Sequence, residues 1–495
     1  VSPEKSFFNP GYEHKFFIDL TPFARKNVDI DGDGTSNKIT LLVGGLGKGG
    51  KGYYALDITD ADSKSTISPI TEIQDMVQWE YSATTDDDIG YSYSMPIVAK
   101  SNATATEDSS KTKWVVIFGN GYESVNGNAV LHILNVDGTL LKKIDTGVGG
   151  CNGLSTPSVV DVDFDLKADF AYAGDLKGNL WKFDIRDSNP ANWEVAYKDG
   201  NGDPAPLFSV PGKPITSKPD VMQHCDFGEE SHSLSCDQDK NYVPGYMVLF
   251  GTGKFLNEND RTDTSSQYIF GIWDYGDNDD NSEYLGTFNE GGSPQLSNMN
   301  ANITLLEQTE VYSGYFGGQY LRVLSNNVPD WTIVCDATNG QNPDPDPTYF
   351  ANAGWYFKLP GAGERIIKDV IVRDKKLIYI TFTPDSSPCS GGGNSIIHEA
   401  DACTGGRLED AQFDITGDGI IDSNDLIDIG LTDGSGNPIL VAPTGIRKSG
   451  MLHNPVFIRF PGQPVEMKIF SSSAGTTETI FETNEPSGLF FWRIN

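Results

Sequence analysis

NGLSTPSVVDVDFDLKADFAYAGDLKGNLWKFDI, residues Asn152–Ile185, contains two patterns that govern the reading of the whole chain. One is a strand-like run after a glycine turn, Gly178-NLWKFDI, aromatic-rich and ending on an acidic residue. The other is the alternation of aspartates in Asp161-VDFDLKAD, just before the strand-like Asp169-FAYAGDL.

The first pattern recurs loosely as Gly52-YYALDIT, Gly127-NAVLHILNVDG, Gln267-YIFGIWD, Gly393-NSIIHEADACTGG and, at the end of the chain, Gly488-LFFWRIN. Similar runs at Ile39–Val43, Trp114–Phe118, Tyr246–Phe250 and Leu377–Phe382 are rich in β-branched and aromatic residues. They are bounded by glycine, asparagine and aspartate. Convincing helical periodicity is scarce. Units recurring at roughly 50 to 130 residues predict an all-β propeller whose blades carry long insertions, rather than an open array of β-sandwiches. A final strand is expected to complete a blade begun near the N-terminus. The polar stretches His224–Tyr242, Asp274–Ser282, Asn339–Pro347 and Leu408–Val441 read as such insertions.

Composition agrees. The 54 glycines and 27 prolines favour many turns. A formal charge of −33 repels nucleic acid and anionic headgroups, and attracts cations. It also keeps a secreted protein soluble. No apolar run approaches the roughly 18 residues of a membrane helix. The opening on Val1, with no signal peptide, reads as an excised or mature fragment. One propeller domain is expected over 1–495, as the C-terminal part of a longer protein, with 409–441 an insertion. The six cysteines, Cys151, Cys225, Cys236, Cys335, Cys389 and Cys403, lack a CxxC and suit disulfides in an oxidising compartment. Short separations favour Cys225–Cys236 and Cys389–Cys403, which leaves Cys151–Cys335. The sequence itself leaves connectivity open.

The aspartate alternation is the chemical signal. Calcium takes six to eight oxygens at about 2.3–2.6 Å, and a tight loop supplies them from positions 1, 3, 5, 7, 9 and 12. In the first loop Asp161, Asp163 and Asp165 fall at 1, 3 and 5, the Lys167 carbonyl at 7 and Asp169 at 9. Position 6 is Leu166 and position 12 is Tyr172, so no closing acid comes from there. In the second loop Asp414, Thr416, Asp418, Ile420 (carbonyl), Asp422 and Asp425 fit 1, 3, 5, 7, 9 and 12, with Gly419 at the turn. This resembles a dockerin-type half EF-hand. In the third loop Asp29, Asp31, Asp33, Thr35 (carbonyl) and Asn37 fit 1, 3, 5, 7 and 9. The bland alternatives are solvated acidic turns and, for the third, an Asp-Gly hairpin turn.

Other motifs read as structure. Gly45-LGKGGKG has the spacing of a phosphate loop, but a strand follows instead of a helix N-terminus. His224, Cys225, His232 and Cys236 match no common zinc spacing. Ser390 lies in Ser-Gly-Gly-Gly and not in a nucleophile elbow.

Several stretches, in order, resemble the C-terminal domain of the PilY/PilC family of type IV pilus biogenesis factors and tip adhesins. They are Leu41-LVGGLGKGGKGYYALDIT, Ile89-GYSYSMPIV, Trp114-VVIFGNGYES, the stretch quoted first, Leu249-FGTGKFL, Gly354-WYFKLPGAGERI, Pro388-CSGGGNS and Asp401-ACTGGRL. The ending Trp492-RIN is similar too. The resemblance implies a modified seven-bladed, quinoprotein-like propeller with calcium at Asp161–Asp169. It also implies roles in pilus extension and retraction, twitching motility and host adhesion. The expected partners are the pilus (minor pilins or the pilin fibre) and a host-cell surface, with no nucleic acid and no membrane span. The expected location is the pilus tip or outer surface of a Gram-negative bacterium. No Arg-Gly-Asp is present, and the family's N-terminal adhesive region lies outside the chain. The competing readings are a scaffold stapled by calcium without switching and, from the fold alone, a quinoprotein dehydrogenase. The latter often carries vicinal cysteines, which are absent here. No enzyme activity is expected.

Overall fold

The computed structural model describes residues 15–30, 38–60, 74–104, 112–225, 245–274, 284–292, 304–331, 352–385, 392–459 and 465–483. It divides into two compact units, Val1–Ala171 with Phe183–Glu194, and Tyr172–Lys182 with Val195–Arg493. No helix among the described residues is long and apolar enough to cross a membrane.

Five sheets of four or more strands account for most of the described chain. Sheet I runs Phe23–Asp29, Lys38–Gly45, Gly52–Asp57, Val77–Ser82. Sheet II runs Lys167–Ala168, Ile97–Thr104, Thr112–Gly119, Val130–Asn135, Leu140–Asp145. Sheet III runs Gly286–Thr287, Phe208–Ser209, Asn179–Asp184, Phe170–Gly174, Ser158–Val160. Sheet IV runs Asp220–Gln223, Tyr246–Gly251, Tyr268–Asp274, Asn352–Lys358, Thr304–Gln308. Sheet V runs Glu310–Phe316, Gln319–Leu324, Gly445–Ser449, Gly393–Asp401, Lys376–Pro384, Arg365–Ile366.

The glycine-aromatic repeat has a structural meaning. Its copies at Gly52, Gly127, Gly178, Gln267 and Gly393 supply one interior strand to each of the five sheets. An interior strand covered on both faces loses its polar alternation and reads as a continuous apolar run. Tyr268–Asp274 is buried at every position. The copy at Gly488 lies outside the described residues.

The expected seven blades are corrected to five blade-sized sheets among the described residues. The chain spends strand residues on widening sheet V and on small additions instead. These are the Tyr197–Lys198/Pro204–Ala205 and Ile427–Thr432/Pro438–Val441 hairpins and the three strands Val456–Arg459, Val465–Ser471 and Thr477–Thr483.

In the first unit Val43, Tyr53, Trp79, Val98, Val116 and Phe118 share one apolar core. The Trp79 indole N–H donates to Val136 O at 2.8 Å, so the ring packs without leaving its polar atom unpaired. In the second unit Leu321, Ile380, Ile397 and Ile446 of sheet V pack with Ile415 of the second aspartate loop and with Phe413 and Ile427 on either side of it. Burying each such side chain stabilises the fold by roughly 1.5–3 kcal/mol.

Cys225 and Cys403 form a disulfide across 178 residues of sequence, with Cα atoms 5.8 Å apart. This overturns the expected Cys225–Cys236 and Cys389–Cys403 pairs, and Cys151 is a free, exposed thiol rather than half of a bridge to Cys335. Cys236, Cys335 and Cys389 lie outside the described residues. Packing within the second unit sets the pairing. Cys225 follows the edge strand of sheet IV, and Cys403 sits in the turn after Gly393–Asp401. That turn lies against sheet IV: Ala402 O accepts from the Trp355 indole N–H at 3.3 Å. Gly405, at φ +71°, leaves no room for a Cβ beside the same ring.

Candidate metal centre

The Asp161 loop leaves sheet III after Ser158–Val160 and returns through Lys167–Ala168, which pairs in parallel with Lys100–Ser101. Phe164 and Leu166 take φ of +65° and +69°, a left-handed conformation that glycine adopts without strain and leucine does not. Both side chains point to solvent. The kinked loop brings Asp161 and Asp163 together with Asp169.

Asp161, Asp163 and Asp169 bring one carboxylate oxygen each to within 4.8 Å of one another. Among the described residues no other trio of metal-ligating side chains does so. Asp161 is 1% exposed and Asp169 3%. Asp161 Oδ2 accepts the Leu166 N–H at 2.8 Å, while Asp161 Oδ1 is buried without a hydrogen-bond partner. Asp169 Oδ2 accepts Val162 N–H at 2.8 Å, and Oδ1 accepts from Asn102 Nδ2 at 2.9 Å. Burial pushes the Asp161 and Asp169 carboxyls above the usual range. Backbone and amide donors pull them down, and the neighbouring aspartates push them up again. A buried carboxylate oxygen without a donor costs on the order of 1–3 kcal/mol. A hard divalent cation among these oxygens relieves both that cost and the mutual repulsion.

Asp165 stands apart from the trio. Its Oδ1 accepts the Lys167 N–H at 2.9 Å, and its Oδ2 is ion-paired with the Lys167 ammonium.

The second loop is drawn tight by its own amides. Asp414 Oδ1 accepts Gly417 N–H at 2.6 Å and Thr416 Oγ1 at 3.3 Å, and Oδ2 accepts Gly419 N–H at 2.8 Å. Asp418 Oδ1 accepts the Ile420 N–H at 2.8 Å. Asp422 caps a short 3₁₀ turn, Ser423–Asp425. Asp425 is fully buried and accepts the amides of Ile415, Thr416 and Asp422 at 2.8, 3.1 and 3.0 Å. The structure therefore ties Asp425 to the loop backbone, and the carboxylates of Asp414, Asp418, Asp422 and Asp425 form no trio of the kind that Asp161, Asp163 and Asp169 make. In the third loop Asp29 ends a strand of sheet I, opposite Lys38. Asp31, Asp33, Thr35 and Asn37 lie outside the described residues.

Gly45–Gly52 is the turn of an antiparallel hairpin, Gly45 standing opposite Tyr53. Ser92 Oγ fills it, accepting from Leu46 N–H at 3.2 Å and Gly52 N–H at 3.1 Å. Cys225 is held by its disulfide and His224 stacks on Trp273 at 4.3 Å. His232, Cys236 and Ser390 lie outside the described residues.

Sequence reasoning missed Asn102 and the Lys167–Asp165 pair. Asn102 is 67 positions from Asp169 and reaches it through the parallel pairing of sheet II, with a second bond to Ala168 O at 3.0 Å.

Comparison with known proteins extends these observations. The family model described as the PilY1 beta-propeller domain matches residues 4–306. The type IV pilus biogenesis factor PilY1 of Pseudomonas aeruginosa UCBPP-PA14 is 32% identical over 445 residues, 83% of this chain and 34% of that protein. A PilY1 homolog of Xylella fastidiosa is 30% identical, covering 80% of this chain and 24% of the homolog. The chain thus spans about a third or less of the length of these relatives. The crystal structure of the Pseudomonas aeruginosa PilY1 C-terminal domain superposes with a TM-score of 0.68 at 26% identity, over 94% of this chain and 84% of that one. The fold is an all-β propeller.

Proposed function

This chain belongs to the PilY1 β-propeller family, and on that premise we propose that it is the calcium-binding propeller of a type IV pilus biogenesis factor and tip adhesin. The trio Asp161, Asp163 and Asp169, with the buried, partnerless Asp161 Oδ1, carries the calcium part of this reading. Those three carboxylates would hold the ion, with the Lys167 carbonyl and then Asp165 joining them. Calcium supplies two positive charges and no redox chemistry. The loop responds by fixing its backbone against sheet II, where Asn102 already grips Asp169. The role is binding rather than catalysis.

In this reading the loaded loop favours pilus extension and the empty loop favours retraction, a two-state element biased by differential ion affinity. Its partners are minor pilins or the pilin fibre, and a host surface for adhesion. It works outside the cell, at the pilus tip or the outer-membrane surface. The Asp414–Asp425 loop serves as a second calcium loop on the 409–441 insertion. The Asp29–Asn37 loop is a third.

Asp161→Ala combined with Asp165→Ala tests the reading. Calorimetry is expected to lose the binding event at this loop, and cells carrying the variant to lose calcium-dependent surface piliation and twitching. Unchanged calcium affinity overturns the site.

A second reading has its own support. Sheet II holds the loop through Asn102 and the Lys167–Lys100 pairing, as a structural staple would. Under it, chelation lowers thermal stability and leaves piliation unchanged.

A further inference from the structure

We propose that Lys167 is a built-in rival of the calcium ion, and that it sets the affinity of the Asp161 loop by holding Asp165 out of the ligand set. This inference rests on the calcium reading above and deepens it.

Loop spacing assigns Asp165 the same standing as Asp161 and Asp163. Its two oxygens are nevertheless committed elsewhere, one to the Lys167 amide at 2.9 Å and the other to the Lys167 ammonium. The trio of gathered oxygens excludes it. Position 7 contributes only a backbone carbonyl to a calcium loop, so its side chain carries no ligand duty. A lysine there places a cation on the rim of the loop, partly exposed like the aspartate it holds. Asp161, Asp163 and Asp169 would hold the ion, and Asp165 would join them only by giving up its pair with Lys167, which would leave that charge beside the ion.

The cost of that exchange is the strength of a partly exposed ion pair plus a screened repulsion, together about three- to tenfold in affinity. A neutral side chain at 167 removes both costs and leaves the carbonyl in place.

The test is calorimetric titration of the whole chain with calcium chloride. Asp33→Ala and Asp418→Ala in the background silence the other two loops. Lys167→Met is expected to bind calcium about three- to tenfold more tightly, while Lys167→Arg, which keeps the charge, stays within about twofold of the parent. Circular dichroism of each variant establishes that it is folded. If Lys167→Met binds no more tightly while Asp161→Asn abolishes binding, the role given to Lys167 is wrong and the calcium site stands. If Asp161→Asn leaves binding unchanged, the calcium reading falls and this inference with it.

Discussion

Asp161 divides its two oxygens between opposite tasks. Oδ2 ties the loop together through the Leu166 amide, and Oδ1 waits, buried and without a donor. The same turn forces Leu166 to φ +69°, where EF-hand loops place glycine. A left-handed leucine costs roughly 1–2 kcal/mol, and glycine returns part of that relief as extra freedom in the unfolded chain. Leu166 is 57% exposed, so little burial is at stake. Leu166→Gly is therefore expected to stabilise the protein by about 0.5–1 kcal/mol, read as a higher midpoint in urea. A lower midpoint contradicts the strain. Asp161, Asp163 and Asp169 were legible in the sequence because one loop supplies all three. Asn102 was not, because its contact depends on a strand pairing that no local pattern encodes. The diversion of Asp165 was hidden by the position-7 rule, which concerns the carbonyl and is silent on the side chain.

At the scale of an element, sheet V encloses a charged network. Arg322 donates to Glu364 at 2.6 and 3.0 Å and to Glu310 at 2.7 Å. His398 Nε2 lies 3.2 Å from Arg322 Nη1, and its ring stacks on Tyr379 at 4.3 Å. Burial first, and then the Arg322 charge, hold the His398 pKa at about 3, against an ordinary 6.5. Burial opposes ionisation of Glu364, yet Arg322 outweighs it and holds that carboxyl at about 2, against 4.5. Both folded values lie below the unfolded ones, so the unfolded chain binds these protons first as pH falls. Stability is then full above pH 6.5 and declines toward 3 through His398, with Glu364 adding its loss between 4.5 and 2. Buried His224, at about 3, acts in the same direction as His398. Each histidine contributes a slope of up to roughly 1.4 kcal/mol per pH unit. Thermal melts between pH 6.5 and 4.5 are expected to show this decline, and His398→Gln to make it shallower. A slope unchanged by His398→Gln contradicts the assignment.

Strand identity was the most legible feature at this scale. Apolar runs bounded by turns marked the interior strand of each sheet, because two-sided burial leaves a continuous hydrophobic signature. Edge strands and two-residue pairings such as Lys167–Ala168 left none.

At the scale of the whole molecule, five copies of one repeat supply five sheets. The count of seven came from resemblance and not from the repeat itself. Disulfide connectivity was illegible because proximity in the fold, and not along the chain, brings Cys225 to Cys403. Closing so long a loop removes about 5 kcal/mol of unfolded-state entropy in the chain-entropy model. A non-reducing peptide map is expected to yield a fragment joining Cys225 to Cys403, and reduction to lower the melting temperature. A Cys225–Cys236 fragment contradicts this. Under the proposed calcium reading the charge of −33 makes the propeller dependent on cations where carboxylates crowd, and among the described residues the Asp161 loop is where they crowd under burial.

Anomalous diffraction from crystals grown in calcium chloride tests that dependence most directly. A calcium peak bounded by the oxygens of Asp161, Asp163 and Asp169 is predicted. The absence of a peak there, with those three carboxylates turned into solvent, would contradict it.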